Sequence, residues 1–374
     1  MGEHTRPGPA GQALDLAPRR RGGFTVTVDL CTWDLTVFRV HPDAGGRPVF
    51  VARREDEVRD FLRDLDAGRR DADLLAALAR PPRRRLARPP RPRRDLRLGV
   101  EHEYRLHGPE GRVDVRGVID GLDLGVRADP TDPHAQRGPW GGVVTADGAE
   151  AEVATPPVVA GPGAAADVVE LARRGRDTLE RSLAAALGGG HHLEGYSTHL
   201  NVSAPRWGDR GLATTFATVF APALMLLLDR PTSPGLLVRP RPGRLELGGE
   251  FCDGEELEVA LVFALGAVLA CRGRQGRAAR RLAVDLALQP ARERYGWYVD
   301  RRSVGADLYE GGRGTALSRR GSGEVVTAGR HLEQAWALAR ARLAPLVGDD
   351  ELARVDAVVG GTAPLPRPQE GEAS

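Results

Sequence analysis

Apolar residues recur along this chain in two distinct rhythms. In several short segments they fall on every second position. Phe24, Val26 and Val28 alternate with Thr25, Thr27 and Asp29, and Val100, Tyr104 and Leu106 alternate with Glu101, Glu103 and Arg105. Side chains two apart on a strand share a face, so the pattern predicts strands over 96–106, 143–146, 149–155, 196–203 and 244–248. Three more are predicted near the start, over 24–28, 33–40 and 48–52. Elsewhere the spacing is three to four. Val58, Phe61, Leu62 and Leu65 predict a helix over 55–65, and Leu74, Leu75 and Leu78 a short second one. Longer helices are predicted over 164–187, 212–229, 254–271, 329–346 and 349–359. Asp253 followed by Glu256 gives the third of these a capped start.

Strands and helices do not alternate regularly, and no GxGxxG follows a strand. The expected class is therefore α+β, an antiparallel sheet backed by helices, rather than a doubly wound parallel sheet. Residues 1–23 are rich in Gly, Pro and Arg without periodicity and are expected to be a loose tail. Residues 24–80 form a small α+β unit. The segment RPPRRRLARPPRPRR over 80–94 reads as an extended linker, placed at 81–95. A catalytic domain follows over 96–360, then a second tail over 361–374.

Composition removes several function classes. All 53 basic residues are arginine, because the chain contains no lysine. A Schiff-base lysine, a P-loop lysine and a kinase-type lysine are excluded, so phosphate would have to be held by arginine, backbone N–H groups or metal ions. The net charge of +2 gives no global attraction for nucleic acid. The basic linker carries no interleaved aromatics for base stacking, so it is read as a solvated spacer. Cys31, Cys252 and Cys271 are scattered, without CxxC spacing. The first residues lack an apolar signal core, and the longest apolar run, within Leu257–Cys271, is too short for the roughly 18–20 residues of a membrane span. A cytoplasmic protein without membrane association is expected.

The chemistry is concentrated on the polar faces of the strands. Glu101 and Glu103 share a face with Arg105. Glu150 and Glu152 share another, and His199 and Asn201 lie with Ser197 and Ser203. Arg244 and Glu246 share theirs with Gly248. Asn201 is the chain's single asparagine. Each pair alone is ordinary wet-face polarity. Gathered into one sheet, five glutamates would repel one another unless cations lay between them, and Mg²⁺ or Mn²⁺ takes oxygen ligands with an imidazole.

Four segments, in this order, resemble the carboxylate–amine ligases of the glutamate–cysteine ligase type, in the glutamine synthetase superfamily. They are Gly99-Val100-Glu101-His102-Glu103-Tyr104, Asp147 to Pro157, His199-Leu200-Asn201-Val202-Ser203 and Arg244-Leu245-Glu246-Leu247. The resemblance spans about 96–360. It implies a curved antiparallel sheet with helices behind it, holding ATP and Mg²⁺ or Mn²⁺ on its concave face. Glu101, Glu103, Glu152, His199 and Glu246 match its metal ligands. Asn201 falls in the nucleotide or substrate wall. Where the family has an arginine aimed at the transferring phosphate, this chain has Gly248. Arg244 is then the nearest cation on that face. Arg294, Arg313, Arg319 and Arg320 are further candidates, with Arg294 taken as nucleotide-binding.

The implied activity is ATP-dependent coupling of an amino-acid carboxylate, by default the γ-carboxylate of glutamate, to an amine. Two alternatives stand beside it: an amide hydrolase on the same scaffold, and a degenerate nucleotide- or partner-binding protein with 24–80 as its docking module. The oligomeric state is not specified.

Overall fold

The computed structural model describes residues 6–7, 13–14, 19–21, 24–30, 36–43, 50–52 and 55–68. It also describes 96–128, 132–203, 210–228, 233–241, 243–272, 275–290, 296–344 and 346–365. The chain divides into two compact units, Met1–Arg93 with Arg292–Tyr295, and Arg94–Ala291 with Gly296–Ser374. The second short helix expected near Leu74 and the Arg/Pro-rich linker lie outside the described residues.

In the smaller unit, Arg19–Arg21, Phe24–Leu30, Thr36–Pro42 and Phe50–Ala52 form a four-stranded antiparallel sheet in that order. Helix Glu55–Asp66 follows. The helix residues Val58, Phe61 and Leu62 are buried with Phe24, Val26 and Val40. Phe50 stacks on Phe61 with centroids 4.2 Å apart. The sheet therefore begins at Arg19, inside the segment expected to be a loose tail. Arg19–Arg21 is held there by its ladder to the following strand.

The larger unit is built on a twelve-stranded sheet. Its strands are β1 (Arg97–Gly108), β2 (Gly111–Val113), β3 (Val126–Arg127), β4 (Gln136–Arg137), β5 (Val143–Asp147) and β6 (Glu150–Ala154). There follow β7 (Val158–Val159), β8 (His192–Ser203), β9 (Gly235–Arg241), β10 (Arg244–Glu250), β11 (Gln289–Pro290) and β12 (Trp297–Asp300). The order across the sheet is β11-β12-β9-β10-β8-β1-β6-β5-β4-β3, with β2 and β7 also paired to β1. All these pairings are antiparallel. The six longer helices among the described residues of this unit are α1 (Ala164–Leu187), α2 (Arg210–Val219), α3 (Ala221–Leu227), α4 (Gly254–Ala270), α5 (Ala328–Arg340) and α6 (Asp349–Gly360). The expected architecture, an antiparallel sheet backed by helices, is what the chain forms.

The even positions of β1 face the core. Leu98 and Val100 join Leu200 and Val202 of β8, Leu236 and Val238 of β9, and Leu245 and Leu247 of β10 in one buried cluster with all six helices. Tyr104 and Leu106 join Val144, Ala151, Val153 and Leu193 in a second cluster, closed by Leu179 and Leu183 of α1. Helix α4 is apolar on all sides because it is buried on all sides, Leu257 to Ala270 being almost wholly within the core. No described helix is long and apolar enough to cross a membrane.

The predicted helix over 212–229 is two helices, interrupted at Phe220. Pro222 has no N–H to donate into the preceding turn and opens α3 instead. Strand β9 was not legible, because Pro240 and two arginines obscure its alternation.

Of the arginines proposed near the C-terminus, two have structural work. Arg313 donates to the carbonyls of Val358 and Val359 at the end of α6. Arg319, 3% exposed, donates to Leu282 O, to Gln334 and to His331 Nδ1. Arg320 is exposed. His331 Nε2 donates to Val219 O at 2.7 Å, so the ring is held neutral with its proton on Nε2. Burial first, then the Arg319 charge, push its pKa down to about 4. The neutral ring stabilises the fold fully above the unfolded value near 6.5. That contribution is lost as pH falls through 6.5 towards 4, amounting to about 3 kcal/mol. A histidine-resolved NMR titration should find His331 still neutral at pH 5. A ring charged at pH 6 would contradict the packing.

Candidate functional site

Strand register decides which polar side chains meet. On β1 and β8, Glu101 lies opposite His199 and Glu103 opposite Ser197. On β8 and β10, His199 lies opposite Gly248 and Asn201 opposite Glu246. On β6 and β1, Glu152 lies opposite Glu103. On β9 and β10, Arg239 lies opposite Glu246 and Arg241 opposite Arg244. Directly opposed residues share a face. The polar positions of five adjacent strands therefore project from one side of the sheet, while the apolar positions beside them form the core.

These side chains gather into two groups. In the first, ligand atoms of Glu101, His199 and Glu246 all lie within 4.8 Å of one another. In the second, those of Glu103, Asp147 and Glu152 do the same. The His199 ring lies between the groups. Its Nδ1 is 3.5 Å from Glu101 and 3.9 Å from Glu246, and its Nε2 is 3.7 Å from Glu103. Ser197 donates to Glu103 at 2.6 Å. All five residues expected to bind metal fall in these two groups.

The groups differ in their counter-charges. Glu246 is fully buried and is clasped by arginines. Arg239 hydrogen-bonds one oxygen, Arg241 Nε donates to the other at 2.7 Å, and Arg244 stands 3.6 Å away. Arg244 also donates to Glu101 at 3.2 Å. Burial pushes the Glu101 carboxyl up, but the adjacent His199 ring and the Arg244 and Arg241 charges outweigh it and hold it below its ordinary value.

The second group is acidic, and it holds like charges directly opposed across the strands. Burial first, then the charges of Glu101, Asp147 and Glu103, raise Glu152 to about 8. A sheet that sets Glu103 opposite Glu152 incurs repulsion, and a cation between them removes it.

The residues present fit a hard divalent ion. The donors are carboxylates and one imidazole, the set Mg²⁺ or Mn²⁺ accepts. Among the buried polar atoms on this face without a hydrogen-bond partner are two with lone pairs to offer, His199 Nδ1 and Asn201 Oδ1, and a ligand in the site would supply one.

Gly248 has a geometric reason. A Cβ built there would lie 2.9 Å from His199 Cδ2 and 3.1 Å from Nε2. The position expected to carry an arginine is instead the space the His199 ring occupies. Gly248→Arg should therefore not restore a missing function. It should displace the ring and weaken divalent-ion affinity by roughly tenfold or more, the range seen when groups supporting a metal ligand are lost. Calorimetric titration with Mn²⁺ measures this, and unchanged affinity would show that His199 does not bind the ion.

Three residues escaped the sequence reading. Asp147 closes β5, and the two-residue turn 148–149 sets it opposite Glu150, on the face of Glu152. The Asp-Gly pair between two alternating segments was the available signal. Arg239 and Arg241 were missed with β9. Glu150, counted among the gathered acids, is paired with Arg112 and belongs to neither group. Arg294 lies outside the described residues.

No protein-family model matches the chain, and no curated protein matches it. Among solved structures, it matches a chain of the crystal structure of the complex between prokaryotic ubiquitin-like protein Pup and its ligase PafA. The identity is 16% and the TM-score 0.44, over 71% of this chain and 62% of that one. This chain thus spans less than two thirds of the other's length. A likeness of this size says nothing of substrate or partner.

Proposed function

We propose that the larger unit is an ATP- and divalent-ion-dependent ligase that joins a carboxylate, by default the γ-carboxylate of glutamate, to an amine. One observation carries this reading. Two acid-rich ligand groups share one sheet face, and Arg239, Arg241 and Arg244 pair with the acids of the first.

A carboxylate is a poor electrophile. In the proposed reaction its oxygen takes the γ-phosphoryl group of ATP and ADP leaves. The amine then attacks the acyl carbon, and phosphate departs with the former carboxylate oxygen. Bound Mg²⁺ or Mn²⁺ would neutralise phosphate charge. Glu101, His199 and Glu246 would hold one ion, and Glu103, Asp147 and Glu152 the other. Arg244, exposed on one side and anchored to Glu101, is positioned to meet phosphoryl oxygens as they separate. Arg239 and Arg241 fix Glu246 rather than the substrate. Asn201 presents its free Oδ1 to the nucleotide or substrate. A chain without lysine can perform this chemistry, since positioning and charge neutralisation carry it.

ADP release, assayed with Mg²⁺-ATP over a panel of amino-acid carboxylates and amines, tests the proposal. Glu101→Ala and Glu103→Ala should each abolish it, and full activity in either would refute the metal assignment. Amine released from a γ-glutamyl amide without ADP would identify a hydrolase instead.

A further inference from the structure

The polar face of the sheet does not end at the ligand groups. Beyond Glu103 on β1 come Arg105 and His107, and the register brings Glu194 opposite Arg105 and His192 opposite His107. Between Gly195 and Ser197 the register shifts, leaving Tyr196 as a bulge. The bulge changes which parity of β8 faces outward. Leu193 is in the core before it and Leu200 after it, so both halves of a twelve-residue strand keep an apolar inner face. Gly195 makes this possible, because a Cβ there would lie 2.4 Å from the Phe251 ring.

The bulge sets the Tyr196 ring against Arg105, whose guanidinium carbon lies 4.1 Å from the ring centroid. That contact orients the guanidinium without consuming its donors. Arg105 Nε is buried without a hydrogen-bond partner. Its ion pair among the described residues is with Glu194, at 3.9 Å, beyond hydrogen-bond reach. The other oxygen of Glu194 is engaged by His107 Nε2 at 2.7 Å, which holds that carboxylate off the arginine. A guanidinium with five donors is thus aligned, partly desolvated and not hydrogen-bonded by a side-chain carboxylate. It lies two residues along the strand from Glu103, about 7 Å of rise.

We propose that Arg105, held by Tyr196, is an anion subsite that takes a second carboxylate on the substrate reacting at the ligand groups. This inference rests on the ligase reading for the substrate's presence there. A planar carboxylate matches the guanidinium fork in two hydrogen bonds, which lysine would not provide. The carboxylate belongs either to the acyl donor or to the amine acceptor.

The test uses the full chain saturated with Mg²⁺ and isothermal titration with two pairs of probes. Glutarate against butyrate reports a second carboxylate on the donor, and glycine against glycinamide one on the acceptor. In one pair the carboxylate-bearing member should bind at least tenfold tighter. Arg105→Gln should remove that preference, Arg105→Lys keep part of it, and Tyr196→Phe keep most. The weaker member of the pair, Mg²⁺ affinity and Tm should be unchanged in all three variants. The pair that responds names the source. Loss of no preference in either pair, or equal weakening of both members, overturns the proposal, as does absence of any preference in the unaltered protein. If Mg²⁺ fails to bind at all, the metal reading has failed, and the same titrations without metal still report on Arg105.

Discussion

Glu246→Gln should destabilise the larger unit by about 3–5 kcal/mol and should also abolish ion binding at the Glu101 group. The first figure is what removing one partner of a buried ion pair costs. Glu246 is fully buried, and its two oxygens accept from Arg239 and Arg241. Arg239 is itself only 4% exposed. Neutralising the acid takes from a buried guanidinium the carboxylate it pairs with. The second effect follows because Glu246 supplies one of three ligands beside Glu101 and His199. Urea unfolding measures the first effect and Mn²⁺ titration the second. A destabilised variant with unaltered ion binding would show that Glu246 is only a structural partner of the arginines, and a stable one would refute the first effect.

Glu152→Gln should have the opposite effect on the metal-free protein. Glu152 is raised to about 8 in the folded chain, chiefly by burial and then by its acidic neighbours. A raised carboxyl contributes stability that is complete below the unfolded value near 4.5. It is lost progressively from there as pH rises through 8, because over that range the unfolded chain has released a proton the folded chain retains. Without metal, the unaltered protein should lose stability between pH 5 and 8, and the glutamine variant should lack this loss. With Mg²⁺ the order reverses. Binding to the folded state alone raises the unaltered protein's Tm, by an amount set by concentration over Kd, whereas the variant should gain little. The two directions together separate an ion site from a strained acidic patch. Thermal unfolding at pH 5 and 8, with and without Mg²⁺, measures all four conditions.

Much of this was legible in the sequence, for one physical reason. A strand's period of two sorts its residues onto faces without knowledge of its neighbours. Val100 and Leu200 were thereby assigned to the core, and Glu101, Glu103, His199 and Glu246 to the other face. What period alone does not give is register. That Glu103 opposes Glu152, or that His199 opposes Gly248, depends on which strands pair and where. The spacing that divides the ligands into two groups was therefore invisible, as was the His199 ring that fills the Gly248 space. Pro240 hid the strand that brings Arg239 and Arg241 to Glu246. The bulge at Tyr196 was equally hidden, since one extra residue looks like a break in alternation rather than a device that preserves it.

The central claim is that the five acids and one histidine on this face hold divalent ions in two groups. Counting bound Mn²⁺ by electron paramagnetic resonance, in the unaltered chain and in Glu152→Gln, tests it most directly. Two ions per chain in the first and one in the second are expected. No bound Mn²⁺ at millimolar concentration, or an equal count in both proteins, would contradict the account.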